Sequence, residues 1–194
     1  MKDYKIILAS GSRYRRELLS RLGLEFESWQ PDIDEAALAG EAPRDTAVRL
    51  ARSKANAAKP RWPQGLIIGS DQVAEVEGEA IGKPGTLDNA RAQLRRLSGR
   101  EVLFHTAVCL LDAASGRAQE RVVTTDVAFR RLTHAEIDSY LAREPALDCA
   151  GSAKSEGLGI ALLERLGGDD PTALVGLPLI ALSQMLRASG VKVP

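Results

Sequence analysis

The sequence has little cysteine, little histidine and no excess of charge of either sign, and each shortage removes a class of function. Only two cysteines occur among 194 residues, Cys109 and Cys149. They are far apart and form no Cys-x-x-Cys unit, so they read as free buried thiols in a reducing cytosol. The only two histidines, His105 and His134, lie 29 positions apart without a His-Glu-x-x-His pattern, which argues against a zinc hydrolase. His105 and Cys109 share parity on one expected strand. About 13 Å of extended chain separates them, too far for a thiol dyad. There is neither a Gly-x-Ser-x-Gly elbow nor a Walker-type phosphate loop.

Twenty-six basic residues balance 26 acidic ones, for a formal net charge of zero. A protein that tracks a nucleic-acid backbone carries a basic excess, so no nucleic-acid polymer is expected as partner. A small anion held by a local basic cluster stays open. Long hydrophobic runs are missing too. The longest, Leu174 to Leu182, is too short to span a bilayer and contains Pro178. Met1 to Ser10 holds a short apolar run followed by an Arg-rich stretch, unlike a signal peptide. The expectation is a soluble, cytoplasmic protein without a membrane partner.

Apolar residues make up 44% and charged residues 27%, an ordinary globular composition. A chain of this length buries roughly 70% of its unfolded surface and needs no disulfide or structural metal to fold. Lys5 to Ala9 reads as a buried strand, broken by Ser10-Gly11-Ser12, with Ser12 capping a helix to Leu22. Leu24 to Trp29 alternates as a second strand, and Pro31 to Glu35 is an acidic loop. Pro43 opens a long helix ending near Pro60. Leu66 to Gly69 is a buried strand, and Val73 to Ile81 a small hairpin turning at Glu77-Gly78. Thr86 caps a helix with Leu87, Ala90, Leu94 and Leu97 on one face. Two β-prone runs follow, Val102 to Leu111 and Arg117 to Phe129, then a Thr133–Glu136 capping box starting a helix through Leu141. Gly151 to Gly168 shows no clear pattern, and a last helix covers about Leu177 to Ala188. Helices and strands alternate without a linker. The fold class is a single α/β domain over residues 1–194 with a mixed sheet.

Four places look chemical. At Ser10-Gly11-Ser12-Arg13-Tyr14-Arg15-Arg16, a strand, a Gly turn and a helix start make an anion site beside three arginines; a capped helix with a solvated basic face is the alternative. Asp71, in Gly69-Ser70-Asp71-Gln72, is read at the end of an apolar strand, where open sheets place ligands. Nothing basic is near it in sequence, so it must find a cation in space or be a turn residue. In the acidic loop of Asp32, Asp34 and Glu35, Glu35 joins Asp71 as a possible magnesium ligand pair, against an ordinary solvated loop. Lys54 shares a small, apolar helix face with Ala47, Leu50, Ala51 and Ala58, so it snorkels, is salt-bridged or sits over a ligand anion. Lys83, in a Gly-Lys-Pro-Gly-Thr loop, means little alone.

Together these segments resemble the Maf family of nucleotide pyrophosphatases. The likeness runs from Ser10–Arg16 through Asp34-Glu35, the Lys54 helix, Ile67-Ile68-Gly69-Ser70-Asp71-Gln72 and Gly82-Lys83-Pro84 with Thr86. It continues to Gly151-Ser152, Ser155-Glu156-Gly157 and Val175-Gly176-Leu177-Pro178, covering nearly the whole chain in order. The Asp-Gln pair and Lys154-Ser155-Glu156-Gly157 resemble the branch acting on 7-methyl-GTP rather than on dTTP and UTP, although that branch typically has tryptophan where this chain has Tyr14. The resemblance implies a two-lobed α/β fold with a twisted mixed sheet, flanking helices and a deep cleft, often a homodimer, and a divalent metal, magnesium or manganese. It implies Asp71 as general base and Tyr14, Gln72 and Glu156 as setters of base preference. On that basis Glu35 and Asp71 hold the metal, Arg15, Lys54 and Lys83 neutralise the triphosphate, and Ser10, Ser12, Arg13 and Arg16 contact phosphate. The rivals are a dTTP/UTP or broad modified-nucleotide pyrophosphatase, and a non-catalytic nucleotide-binding regulator of cell division. A regulator would keep the cations but would not need the two carboxylates.

Overall fold

The computed structural model describes residues 4–193. In chain order the elements are β1 (Ile6–Ala9), α1 (Arg13–Ser20), β2 (Phe26–Trp29), α2 (Pro43–Ala58), β3 (Leu66–Val76), β4 (Glu79–Ile81), α3 (Leu87–Leu97), β5 (Glu101–Asp112), β6 (Ala118–Phe129), α4 (His134–Arg143), β7 (Leu163–Gly167) and α5 (Leu179–Ala188). Short 3-10 turns at Ala150–Ser152 and Leu158–Leu162 occupy the stretch that showed no pattern in sequence. The sheet order is β2-β1-β3-β5-β6-β7, with β4 paired to β3. β1 pairs parallel with β2 and β3, while β3–β4 and β6–β7 are antiparallel, so the sheet is mixed as expected.

Two compact units are formed. The first comprises Met1–Gln72, Thr106–Val123 and Asp170–Pro194, and the second Val73–His105 and Thr124–Asp169. In the first, β1 is fully buried between parallel neighbours, which is why it reads as a continuous apolar run. Strand alternation divides its contacts. Ile6, Leu8, Leu66 and Ile68 join Leu18 and Leu19 of α1 and Leu182, Met185 and Leu186 of α5 in one core. Ile7, Ala9, Ile67 and Gly69 point the other way, towards α2.

Helix α2 starts at Pro43, whose missing N–H costs nothing there, with Asp45 in the positive first turn. Half of its buried residues are alanine, Ala47, Ala51, Ala55 and Ala58, beside Pro43, Thr46, Leu50 and Lys54. Small side chains let the helix approach β3 closely. The closest point is Gly69, where a Cβ would overlap the Ala51 carbonyl oxygen and stand 2.7 Å from the Ala55 nitrogen. This corrects the expected strand end. Gly69 does not break the strand; it admits helix backbone, and β3 runs unbroken for 11 residues to Val76 before turning at Glu77-Gly78 into β4.

In the second unit the capping box forms as expected. Thr133 N–H donates to Glu136 Oε2 at 2.7 Å, and Glu136 N–H to Thr133 Oγ1 at 3.3 Å. On α3, Ala90, Leu94 and Leu97 are buried but Leu87 is 42% exposed, so the apolar face begins one turn later than the pattern suggested. Both cysteines are free; Cys109 is buried and Cys149 half-buried. Among the described residues no helix is long and apolar enough to cross a membrane.

Gly69→Ala is expected to cost at least ~1–3 kcal/mol of stability, because backbone rather than a flexible side chain occupies the space. Gly82→Ala, where a Cβ meets nothing within 4 Å, should stay within about 0.5 kcal/mol of wild type. Urea unfolding of both variants checks the difference.

Candidate active site

The close approach at Gly69 sets the chemistry two residues further on. Asp71 lies on the same strand face as Gly69, and Lys54 sits on α2 between Ala51 and Ala55. The two side chains therefore meet: Lys54 Nζ donates to Asp71 Oδ1 at 2.6 Å. Glu35 Oε1, from the acidic loop, stands 2.7 Å from the same nitrogen. The Lys54 side chain is only 7% exposed and Asp71 10%, whereas Glu35 is 56% exposed. Lys54 thus does not snorkel, and Asp71 is no solvated turn residue. Ala9 pairs with Gly69, so Asp71 stands two residues past the carboxyl end of β1, although inside its own strand.

Arg15 is held from the other side of β3. Its Nε donates to the Gly176 carbonyl at 2.8 Å and its Nη1 to Ser10 Oγ at 3.4 Å. Ser70 Oγ also reaches the Gly176 carbonyl, at 3.0 Å, and the Ala107 carbonyl at 2.8 Å. Burial pulls the Arg15 guanidinium below its ordinary pKa, opposed by the nearby charges of Asp71 and Glu35. Two acids and two bases thus share one neighbourhood with no net charge. At the start of α1, Ser12 accepts from the Arg15 N–H at 3.4 Å, and the Ser12 N–H donates to Ser10 Oγ at 3.2 Å. Ser10 is buried and Arg16 exposed.

The segment from Asp170 to Pro178 is the scaffold that sequence reasoning missed. Helix α5 has no capping side chain of its own at Pro178. Its first free N–H groups donate instead to Thr172 Oγ1 (Leu179, 2.8 Å) and to buried Asp170 Oδ2 (Ile180, 2.7 Å). That anchors the turn whose Gly176 carbonyl holds Arg15. Gln72 is tied to the same turn: its Nε2 donates to Thr106 Oγ1 and to the Ala173 and Leu174 carbonyls, at 2.9, 3.0 and 2.9 Å. Gln72 Nε2 is therefore committed to the fold. The only hint in sequence was that Val175–Pro178 fell within the family likeness.

A family profile described as Maf-like protein matches residues 5–189. The chain belongs to the Maf family. A Maf relative named 7-methyl-GTP pyrophosphatase from Cupriavidus pinatubonensis is 60% identical over 96% of this chain and 94% of its own. One of the same name from Aromatoleum aromaticum is 56% identical over the full length of both chains. Among solved structures, the Staphylococcus aureus Ham1 protein shares the fold with a TM-score of 0.55 at 14% identity, covering 95% of this chain and 99% of that one.

Within this Maf chain, Ser10, Ser12, Arg15, Glu35, Lys54, Asp71 and Gln72 fall in the first unit, as do Arg13, Tyr14 and Arg16. The Arg13 guanidinium lies 4.7 Å from the Tyr14 ring centroid, and its Nη2 donates to the Tyr14 hydroxyl at 2.9 Å, so one ring face already carries a cation. Lys83 and Glu156 belong to the second unit, both exposed. The Lys83 loop is pinned from α3: Gln93 donates to the Gly82 carbonyl and Asn89 to the Pro84 carbonyl, each at 2.9 Å. His105, buried and outside every expected role, hydrogen-bonds Glu75 at 2.9 Å and Thr124 at 3.0 Å.

The donor set can be tested for a metal. Among the described residues no group of three or more His, Cys, Asp or Glu is placed to hold one. Glu35 and Asp71 do converge on a single cation, the Lys54 ammonium. Magnesium asks for one or two carboxylates plus phosphate oxygens and water, and the pair fits that demand.

Removing one partner of a buried ion pair leaves the other without compensation. Lys54→Met should cost ~3–5 kcal/mol in urea unfolding, while Lys54→Met/Asp71→Leu should recover most of it. Additive losses would mean the two side chains are not coupled.

Proposed function

We propose that this chain hydrolyses a nucleoside triphosphate between the α and β phosphates, giving the monophosphate and pyrophosphate, with 7-methyl-GTP as substrate. The observation that carries this reading is the Lys54 ammonium gripped between Asp71 and Glu35, with Arg15 alongside, in a chain whose full-length relatives bear that activity in their names. A protein that only sensed nucleotides would bind the triphosphate without releasing pyrophosphate.

Phosphoryl transfer asks a protein chiefly for positioning and charge stabilisation. Asp71 accepts the proton of the attacking water, which forms the new bond to the α-phosphorus as the bond to pyrophosphate breaks. Arg15, Lys54 and Lys83 are assigned to neutralise the triphosphate, and Arg13, Arg16 and the Ser10 and Ser12 hydroxyls to contact phosphate oxygens. A divalent ion on Glu35 and Asp71, in keeping with the general metal dependence of the family's pyrophosphatases, would supply Lewis-acid stabilisation of the phosphate oxygens. Residues 1–194 are read as one Maf-like domain, and a homodimer is the assembly that sedimentation analysis should test.

Products distinguish this reading from γ-phosphate hydrolysis. Wild type should release pyrophosphate and no primary orthophosphate, lose activity with chelator and regain it with magnesium or manganese. Asp71→Asn should lower kcat by ~10²–10⁴ while nucleotide binding persists; near-native turnover would remove Asp71 from the mechanism.

Base preference is assigned to Tyr14 and Glu156, an aromatic ring and an acid whose chemistries both favour a cationic methylated base; Gln72 Nε2 is engaged within the fold. A ring over a cation is worth ~0.5–2 kcal/mol, about 2- to 30-fold in preference. Glu156→Gln and Tyr14→Ala should each lower the kcat/KM ratio of 7-methyl-GTP to GTP. An unchanged ratio in both would remove charge recognition at these positions.

A further inference from the structure

The Glu35 side chain is more than half exposed and sits in a loop without regular structure. The backbone beside it is held from α2. Arg49, on α2, donates from Nη2 to the Ala36 carbonyl at 2.9 Å, adjacent to Glu35. The same guanidinium grips Glu41 with both edges, Nε to Oε1 at 2.6 Å and Nη2 to Oε2 at 2.7 Å. Glu41 in turn accepts from the Leu38 N–H at 3.1 Å and the Thr46 hydroxyl at 2.9 Å. Asp34 closes the other end of the loop by accepting from the Ala36 N–H at 2.9 Å.

We propose that the Arg49–Glu41 fork is a positioning device that presents the Glu35 carboxylate for metal and substrate. The fork is well placed for it. Arg49 and Lys54 share one rigid helix, so the group that fixes the Glu35 backbone and the ammonium that Glu35 meets keep a constant spacing. The Glu41 side chain is only 11% exposed and Arg49 27%, so solvent screens the pair less than an ordinary surface bridge. In keeping with that, the Arg49 guanidinium holds the Glu41 carboxyl down to about 2. The fork stays ionised across the range in which such an enzyme works. Only arginine supplies both the two-pronged grip and the third bond to Ala36; a lysine offers a point charge without the planar fork.

The proposal rests on Glu35 as a metal-holding residue, and the test separates the two. The full chain and the variants Glu35→Gln, Arg49→Met, Arg49→Lys, Glu41→Gln and Arg49→Met/Glu35→Gln are titrated with Mn²⁺ in the presence of a non-hydrolysable α,β-methylene nucleoside triphosphate. Bound ion is read by electron paramagnetic resonance, and unfolding by urea. Groups that orient a metal-binding residue typically alter affinity by ~10–100-fold. Arg49→Met is expected to weaken Mn²⁺ by about 10-fold, in the lower part of that range. Arg49→Lys and Glu41→Gln should fall between it and wild type, so the idea survives even if Arg49→Met folds poorly. The double variant should bind Mn²⁺ no more weakly than Glu35→Gln alone, because Arg49 acts through Glu35. Additive losses overturn the positioning role, since Arg49 would then act by its own route. Normal affinity in Arg49→Met and Glu41→Gln, beside a loss in Glu35→Gln, overturns it as well. Unchanged affinity in Glu35→Gln overturns the metal-holding role on which it stands.

Discussion

The backbone contact between α2 and β3 at Gly69 is the constraint on which the first unit's chemistry depends. Here alanines on one side and a glycine on the other bring backbone against backbone. Lys54 is then enclosed, and an enclosed ammonium must be paired because leaving water without a partner is costly. Asp71 and Glu35 meet that need, one from the strand and one from the loop. The same pairing makes a buried aspartate tolerable in a sheet interior. Neither charge would be stable where it is without the other.

Strand β3 works from both of its faces. Gly69 and Asp71 look to α2, while Ser70 and Gln72 look to the turn between Asp170 and Pro178. That turn does two jobs with one set of bonds. Asp170 and Thr172 satisfy the open N-terminus of α5, and in doing so they fix the Gly176 carbonyl that orients Arg15. Arg15 therefore answers to a segment 161 residues away in sequence. The cluster that results has two acids and two bases. Such a set balances its own charges within the cluster.

Elements whose signals are local were legible in the sequence. Ser12, Thr86 and Thr133 cap the helices expected of them, because capping needs only a hydroxyl and an N–H two or three residues away. Strand β1, helix α2 and the mixed character of the sheet follow from hydrophobic period and turn residues alone. Misreadings arose where one residue served two elements at once. Gly69 looked like a strand breaker, yet it is where another element's backbone passes, and no window of sequence around it contains that helix. Leu87 fitted a helical face in period, but what lies opposite its turn is not encoded in the period.

The sequence by itself determined the inventory: which side chains carry charge, that Lys54 lies on an apolar helix face, that Asp71 needs a distant cation, and that the order of segments is that of a Maf chain. Tertiary structure alone decided the pairings. Lys54 and Asp71 are 17 residues apart, and Gln72 reaches carbonyls more than 100 residues away, distances over which sequence spacing carries no geometric information. It also decided between competing readings of the same residue, turning Lys54 from a snorkelling side chain into a bridged one. The physical reason is common to both. Periodicity reports which face a residue takes on its own element, whereas the partner it meets there is set by how closely two elements pack, and that depends on volumes contributed from both.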